Sequence, residues 1–430
     1  MTIEIKGHTE RGTALQGKGR SAAGIYETQP YYQRFNQKNN MTRQPFWSPE
    51  AGELTRKRHH KLKTLIEKNA AGYGLIDWAF YNGSNANMVG TGFSINWPNR
   101  RGNFWQPLSR LAQPQGLLPA YQSYGKVQAD PATATLLVRK AARQFGADQV
   151  GFCLLDRKWV YSHWLDEETK QDYPIKFSDE PGYDANWEPG QLADNTLVIP
   201  KEMEYVIVLI HEMDDEGMRT APALTQMATT LTAYSRISFT TVMLAEFIRG
   251  LGYNAIPSAN DTALNIPLAI DAGLGELGRN AKLITPKFGP RCRISKVITD
   301  LPIVPGEPAL WGVTQFCDVC QKCARKCPCG AIPAGGRSFE PVGVYNQRGV
   351  LQWQLNHLKC YEYWAEVGTN CGVCIRVCPF NKPSHWSHDM TRWVIRRGIQ
   401  QVDSLIVRLD DVMGYGRFQS PESFWNGKGV

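Results

Sequence analysis

Eleven cysteines are present in this 430-residue chain, and eight of them fall in two ordered sets between residues 317 and 378. The first set has the spacing Cys-x2-Cys-x2-Cys-x3-Cys-Pro and begins at Cys317. The second set places Cys360 upstream of a Cys-x2-Cys-x3-Cys-Pro run that begins at Cys371. The first spacing is that of bacterial ferredoxins, which hold [4Fe–4S] clusters. We therefore expect the chain after residue 310 to form cysteine-bearing loops and short helices around two clusters.

The fourth cysteine of each run in two-cluster ferredoxins binds the other cluster, so the sequence predicts two interleaved ligand groups. The first cluster group is Cys317, Cys320, Cys323 and Cys378, and the second cluster group is Cys327, Cys360, Cys371 and Cys374. Zinc sites also use Cys-x2-Cys pairs, but three cysteines in series before a fourth favour iron–sulfur chemistry. Cys329 is an alternative ligand beside Cys327, although we favour a small buried residue there.

Charge and hydropathy argue against a nucleic-acid-binding protein and against a membrane-spanning one. The formal net charge of +8 is spread along the sequence, and the basic run at residues 56–63 contains no interleaved aromatic residues. We interpret that run as a solvated helix face and expect no nucleic-acid partner. No stretch approaches the 18 apolar residues that a spanning helix requires. Residues 1–20 show no export signal, and a signal removed earlier stays possible.

Helix and strand patterns alternate between residues 132 and 299, which is typical of an α/β core. The patterns predict helices near residue 132, over 222–249 and over 267–272, strands over 150–155, 205–210, 253–257 and 293–299, and a closing amphipathic helical pattern over 390–413. Residues 1–50 read as an extended arm, and the Gly- and Asn-rich stretch 81–105 as a long loop. The Gly273–Gly278 stretch resembles a dinucleotide motif but follows a helix, so it lacks the required context.

Several stretches resemble respiratory reductive dehalogenases, from about residue 132 to the end of the chain. The resemblance is strongest to the family members that act on tetrachloroethene. It is carried, in order, by residues 255–258, 260–262, 271–276, 288–293, 296–297, 316–325 and 386–389. It implies an α/β (α+β) fold with a nitroreductase-like cobalamin-binding core and a C-terminal ferredoxin-like module. The predicted divisions are an arm with loops (1–130), the core (131–310), the two-cluster module (311–385) and a helical extension (386–430).

The resemblance also implies cofactors and partners. We expect a base-off cobalamin and two [4Fe–4S] clusters, a small organohalide substrate, a homodimer, a membrane-anchor protein and a quinol- or ferredoxin-linked electron donor. The corresponding location is the periplasm, on the outer face of the cytoplasmic membrane, with the cytoplasm as the alternative. No Asp-x-His-x-x-Gly motif occurs, so no histidine is expected on cobalt. We interpret the histidines, including His211, His385 and His388, as ordinary polar residues.

Three catalytic residues follow from the same resemblance. Tyr234 matches the family's proton-donating tyrosine, and Asn260 and Arg293 match residues of the same pocket. A phenol is a weak acid at neutral pH, and a permanently charged arginine beside it stabilises the tyrosinate that proton delivery leaves behind. Core packing is the alternative role for Tyr234. Arg291 is a rival for Arg293, because strand alternation places both on one face.

Residues near these positions are expected to contact the cofactor. They are Asn260, Asp261, Thr262 and Trp364. Trp364 has an equally good alternative, which is packing over the adjacent cluster.

The sequence therefore predicts a corrinoid-dependent reductive dehalogenase, with chlorinated ethenes ahead of halogenated phenols as substrates. An epoxyqueuosine reductase-like tRNA-modifying enzyme and a ferredoxin-type electron carrier are the alternatives.

Overall fold

The computed structural model describes residues 28–91, 98–99, 102–103, 126–167, 169–180, 190–191, 195–382, 386–396 and 400–426. The helices in these ranges are α1 (Pro49–Glu67), α2 (Leu75–Thr91), α3 (Pro131–Gln144), α4 (Asp215–Arg219), α5 (Leu224–Gly250), α6 (Asn265–Asp271), α7 (Val313–Cys320), α8 (Lys322–Arg325), α9 (His357–Val367), α10 (Val373–Arg376), α11 (Trp386–Ile395), α12 (Gln400–Val412) and α13 (Pro421–Trp425). The strands are β1 (Pro98–Asn99), β2 (Gly102–Asn103), β3 (Gln149–Leu154), β4 (His163–Leu165), β5 (Asp172–Phe177), β6 (Gly190–Gln191), β7 (Leu197–Ile199), β8 (Tyr205–Glu212), β9 (Ala255–Ser258), β10 (Glu276–Leu277), β11 (Leu283–Ile284) and β12 (Cys292–Thr299).

The central sheet has the strand order β3-β8-β12-β9, and every neighbouring pair in it is antiparallel. A second sheet, β4-β5-β7-β6, contains the parallel pair β5 and β7. Together with the helices, these sheets give the mixed helix and strand core that the sequence predicts. The alternation of helix and strand along the chain does not produce a parallel central sheet, since each central strand runs opposite to its neighbours.

Side chains on the two faces of the central sheet form separate apolar cores, because successive residues of a strand point to opposite faces. Ile207, Leu209 and Val297 face the side covered by α3 and α5. Ile210 and Ile294 face the side covered by α6 and the second sheet. This alternation decides which side chains of β12 reach α5 and which reach α6.

The long helix α5 forms as predicted, and it ends where its glycines occur. Leu251 caps the helix, and Gly252 adopts a φ of 89°, a left-handed conformation that glycine accepts without strain. The predicted helices at α3 and α6 and the predicted strands at β3, β8, β9 and β12 are also present. The predicted closing helical pattern is divided into α11 and α12.

The loop predicted over residues 81–105 is wrong for residues 81–91, which belong to α2. This helix packs along α5, where the Thr232 hydroxyl donates to Ser84 Oγ at 2.9 Å and the Ser235 hydroxyl donates to the Ser84 carbonyl at 2.7 Å. Tertiary packing therefore overrides the low helix propensity of a Gly- and Asn-rich segment. Most of residues 92–105 lie outside the described ranges.

The N-terminal region contains more helix than the predicted arm and loops. Residues 28–36 do run across the body, with bridges from Thr28 to Val350 and from Asn36 to His163. The prediction of an arm and loops for residues 1–130 is wrong for α2, whereas a helix face is predicted for part of α1. The basic run at residues 56–63 lies within α1 and is mostly exposed, as expected.

None of the helices in the described ranges combines the length and the apolar character that crossing a membrane requires.

Candidate functional site

Tyr234 lies midway along α5 and is half-buried against Ile237 and Ala259. The side-chain amide of Asn260, two residues after β9, donates a hydrogen bond to the Tyr234 hydroxyl oxygen at 3.2 Å. The guanidinium carbon of Arg293, on β12, lies 5.2 Å from the centre of the Tyr234 ring. The fold therefore brings together the three residues predicted to be catalytic, from three separate elements.

The two candidate arginines have different surroundings. Arg291 is buried and is held by Glu212, by the Met213 carbonyl and by Asn381 Oδ1, the last at 2.9 Å from its Nε. Arg293 is half-buried, stands over the Tyr234 ring and donates to the Cys292 carbonyl at 3.0 Å. The geometry favours Arg293 as the arginine that acts with Tyr234, and Arg291 as a residue that joins β12 to its neighbours.

Asn260 is held on its other side by Asn265 of α6. The Asn265 amide nitrogen donates to Asn260 Oδ1 at 2.9 Å and also to the carbonyls of Ala259 and Ile294. Lys296, fully buried on β12, donates to Asn265 Oδ1 at 2.7 Å. Burial lowers the pKa of this lysine to about 7. The hydroxyl of Tyr234 is thus connected to a buried cation through two amides.

Asp261 and Thr262, both predicted to contact the cofactor, are buried in the turn after β9. Asp261 accepts from the backbone nitrogen of Ala259 at 2.6 Å, and burial raises the pKa of its carboxyl. The Thr262 carbonyl accepts from the backbone nitrogen of Tyr161 at 2.9 Å. Both residues shape the turn that presents Asn260, and their contact with a cofactor stays a prediction.

Asn260 also lines a cavity of about 280 Å³. Its wall is formed by Trp159, Tyr161 and residues 264–267 on one side, and by residues 345–357 on the other. Six amide side chains line it, namely Asn40, Asn260, Asn265, Asn346, Gln347 and Gln352. Gln347 Oε1 and Trp353 Nε1 are buried and have no hydrogen-bond partner in the described part of the chain. Buried polar atoms of this kind are normally satisfied, so the lining fits a ligand that carries its own donors and acceptors.

The first cluster group surrounds a second, smaller cavity. Cys317, Cys320, Cys323 and Cys378 all line it, together with Phe316 and Phe380. Burial raises the pKa of the Cys317 thiol to about 12 and that of Cys320 to about 11. The four thiols therefore surround one small shared space, as the ligands of one metal group do. Binding of iron would replace their protons.

The second cluster group assembles beside the first. Cys327, Cys360 and Cys374 pack against one apolar cluster. Burial raises the pKa of the Cys371 thiol, and the charges of these three cysteines raise it further. Burial likewise raises the pKa of Cys360 to about 12. Cys329 Sγ lies 3.7 Å from Cys327 Sγ, so the structure leaves it next to this group as a rival ligand.

The second cluster group lies closer to the larger cavity. Three of its members, Cys327, Cys360 and Cys374, pack against the apolar cluster that contains Leu355, which also lines that cavity. Of the first cluster group, Cys323 packs there. Ala281 is shared in the same way. A redox group in the cavity would therefore be adjacent to the second cluster group.

Trp364 lies outside the cavity lining. Its ring is 5.5 Å from that of Tyr361, and it packs against the Cys371, Val373 and Val377 cluster. This position matches the alternative of packing over a cluster, and a contact with substrate stays a prediction.

Two of the histidines singled out in the sequence lie in the described ranges. His211 is fully buried on β8, where desolvation lowers the pKa of its imidazole to about 3. His388 contacts the Tyr415 hydroxyl at 3.2 Å. His385 lies outside the described residues.

Sequence reasoning missed several buried charged residues that organise the site. Glu276 accepts from the backbone nitrogens of Trp311, Val313 and Thr314 and so fixes the start of α7, which carries Cys317. The Arg279 side chain donates to the Cys317 carbonyl at 3.0 Å.

A third such residue, Asp410 on α12, is buried and pairs with Lys322 and Lys382. The sequence signal that could have revealed these residues is a charged side chain beside a cysteine motif or within a buried strand pattern, as Lys296 is.

Comparison with known proteins identifies two regions of the chain. Residues 61–303 match the "Reductive dehalogenase subunit" family, and residues 316–381 match the "4Fe-4S double cluster binding domain" family. The chain is 42% identical over 309 residues to a tetrachloroethene reductive dehalogenase of Sulfurospirillum multivorans, covering 70% of this chain and 60% of the relative. It is 36% identical over 308 residues to one of Dehalobacter restrictus, covering 67% and 55%. The chain thus spans little more than half the length of these relatives.

A solved structure shares the fold. The catabolic reductive dehalogenase NpRdhA superposes with a TM-score of 0.63 at 20% identity, over 91% of this chain and 48% of the other. The mixed helix and strand core with a C-terminal iron–sulfur region is therefore the fold that the sequence predicts.

Proposed function

Since this chain belongs to the reductive dehalogenase family, we propose that it replaces a halogen by hydrogen on a small organohalide, with a base-off corrinoid and two [4Fe–4S] clusters. The observation that carries the proposal is the contact of Tyr234 with both Asn260 and Arg293, next to a large cavity that adjoins the cysteines. This arrangement combines a proton donor, a place for a cofactor and a route for electrons.

The two cluster groups would form the electron route. Cys317, Cys320, Cys323 and Cys378 would hold an outer cluster, and Cys327, Cys360, Cys371 and Cys374 an inner cluster. The shared contacts with Leu355 and Ala281 support the inner position of the second cluster group. Arg279 and Glu276 hold α7, and with it Cys317, against the core.

The larger cavity would hold the corrinoid. When bound, a reduced corrinoid supplies a strongly reducing cobalt centre for cleavage of the carbon–halogen bond. The amide side chains of the lining suit the amide groups around the corrin ring. Gln347 Oε1 and Trp353 Nε1 would gain partners that the described residues do not give them. Trp159 and Tyr161 add aromatic rings to the lining of the same cavity.

Tyr234 would deliver the proton that replaces the halogen. Its phenol holds this proton at Oη until the carbon accepts it. The tyrosinate left behind is stabilised by the amide of Asn260 and by the positive charge of Arg293 over the ring. The ordinary role of a helix tyrosine, core packing, does not require both contacts.

We propose a chlorinated ethene as the substrate, because both relatives described above are named tetrachloroethene reductive dehalogenases. The resemblance to the family further supports a homodimer, a membrane-anchor partner, a quinol- or ferredoxin-linked donor and a periplasmic location. The match over residues 61–303 favours this function over a tRNA-modifying enzyme and over a simple electron carrier.

Metal content and turnover test the proposal together. The protein, produced with a corrinoid supply, should contain about eight iron and one cobalt per chain. With reduced viologen as donor, it should release halide from tetrachloroethene faster than from halogenated phenols or alkanes. Iron without cobalt would instead support an electron carrier. Cobalt with no turnover of any organohalide would contradict the proposed reaction.

A further inference from the structure

A positively charged side chain lies inside the core, on the face of β12 opposite to Arg293. Lys296 is 0% exposed, and its ammonium group donates to the carbonyls of Ala259 at 3.0 Å and Asp261 at 2.9 Å and to Asn265 Oδ1 at 2.7 Å. An ammonium group has three donors and no acceptor. Every atom that faces it must therefore be an oxygen.

This requirement fixes the orientation of the Asn265 amide. Its oxygen faces the ammonium of Lys296, and its nitrogen faces the carbonyl oxygens of Ala259 at 2.8 Å and Ile294 at 3.1 Å. Carbonyl oxygens only accept hydrogen bonds. A flipped Asn265 would place its nitrogen against the ammonium and its oxygen against two carbonyls, which leaves every contact repulsive.

The orientation passes to the next residue. The two hydrogens of the Asn265 amide are shared among these carbonyls and Asn260 Oδ1 at 2.9 Å, so the nitrogen of Asn260 points the other way, toward the Tyr234 hydroxyl at 3.2 Å. The phenol oxygen consequently accepts a hydrogen bond from Asn260. A reversed Asn260 would accept the phenol's own proton and hold it back.

We propose that Lys296 is a positioning residue, which sets the direction of hydrogen bonding through Asn265 and Asn260 so that the Tyr234 oxygen always faces a donor. The inference rests on the proposed role of Tyr234 as proton donor, because a donor at this oxygen stabilises the tyrosinate. Lys296 does not line the larger cavity itself, but it contacts Asn265, which does, and it acts on Tyr234 through Asn265 and Asn260.

The test is infrared difference spectroscopy on protein that carries its clusters and tyrosine labelled with carbon-13 at the phenolic carbon. The C–O stretching band of a phenol responds to whether its oxygen accepts a hydrogen bond. Comparison with Tyr234→Phe isolates the band of Tyr234. Lys296→Met should shift this band toward that of an oxygen that only donates, and Lys296→Arg, which also only donates, should keep the parent band.

Asn265→Asp provides the second variant, because Lys296 stays in place. The new carboxylate accepts where an amide donated, so Asn260 must turn its nitrogen to Asp and its oxygen to Tyr234. The band should shift in the same direction as in Lys296→Met. Halide release by the loaded enzyme should fall at least tenfold in both variants, with kcat affected more than KM.

Two outcomes overturn the proposal. In the first, Lys296→Met folds and keeps the Tyr234 band of the parent, while Asn265→Asp shifts it. The backbone carbonyls alone would then orient the Asn265 amide. In the second, Asn265→Asp keeps the Tyr234 band of the parent. Asn265 would then not determine how Asn260 faces Tyr234, and this result decides the question even if Lys296→Met does not fold. If Tyr234→Phe dehalogenates as fast as the parent, the proposed role of Tyr234 fails, whereas the band still reports on Lys296.

Discussion

The guanidinium of Arg293 stands over the ring of Tyr234, 5.2 Å from its centre. A cation over an aromatic face is attracted by the electron-rich ring, and it stabilises the negative charge that forms when the phenol loses its proton. The contact gives Arg293 a chemical role that Arg291, which is buried and paired with the partly exposed Glu212, does not share.

Removal of the Tyr234 hydroxyl should remove the proton donor with little change to the fold. We expect Tyr234→Phe to lower the rate of halide release at least about 100-fold, because positioned acids contribute roughly 100- to 10,000-fold. Tyr205→Phe is the matched control, since Tyr205 lies at the opposite end of β8 from His211, the strand partner of Arg293. Equal rates in parent and Tyr234→Phe would exclude Tyr234 as the donor.

Arg293 and Arg291 should respond differently to the same substitution. Arg293→Met should lower turnover by roughly tenfold to a hundredfold, through loss of the cation over Tyr234, and change the free energy of unfolding by less than about 1 kcal/mol. Arg291→Met should lower the free energy of unfolding by about 1 to 3 kcal/mol, because it leaves the Met213 carbonyl and Asn381 Oδ1 without their buried donor. Urea unfolding and halide assays on both variants give the comparison. The reverse pattern would make Arg291 the pocket arginine.

The ligand groups predict the iron content of single cysteine variants. Cys378→Ala should lose the outer cluster and Cys360→Ala the inner one, so each should retain about four iron per chain. Cys329→Ala should retain about eight, since Cys327 is assigned as the ligand. Iron analysis and electron paramagnetic resonance after reduction would measure both. If Cys329→Ala loses iron and Cys327→Ala does not, Cys329 is the cluster ligand in place of Cys327.

His211 should make the protein less stable as the pH falls. Burial lowers the pKa of its imidazole to about 3 in the folded protein, against about 6.5 when unfolded, so the unfolded chain binds the extra proton between these values. This group should therefore reduce the free energy of unfolding by up to roughly 1.4 kcal/mol per pH unit below pH 6.5. Above that pH the imidazole is neutral in both states, so it no longer lowers the free energy of unfolding.

Urea unfolding between about pH 7.5 and 5.5 tests this dependence. His211→Gln should show a flatter dependence on pH than the parent, whereas His60→Gln, on the exposed face of α1, should match the parent. Parallel curves for the parent and His211→Gln would show that His211 is not the group responsible.

Features with a local pattern could be predicted from the sequence. The apolar run of α5 and the glycines that follow it, the buried strand patterns of β8 and β12 and the cysteine spacing each depend on neighbouring residues. The loop prediction for residues 81–91 was wrong because the stability of α2 comes from its contact with α5, 140 or more residues away.

The surroundings of the site could not be predicted in the same way. The contact of Asn265 with Lys296 and that of Glu276 with the start of α7 join residues 31 or more positions apart. Each is a charged or amide group whose role depends on what folding buries beside it. The choice between Arg291 and Arg293 was open for this reason, since strand alternation gives both the same face but not the same partners.

The buried carboxylate of Asp410 makes the first cluster group depend on a helix that contributes no cysteine. Asp410 pairs with Lys322, which lies between Cys320 and Cys323, and with Lys382, four residues after Cys378. Loss of α12 would leave two ammonium groups without their counter-charge, and both would move toward water and part the segments that enclose the cluster. The resistance of the clusters to air during purification should therefore depend on an intact C-terminal region. A preparation cut before α12 by proteolysis should lose its cluster absorbance although all the cysteine ligands are still present.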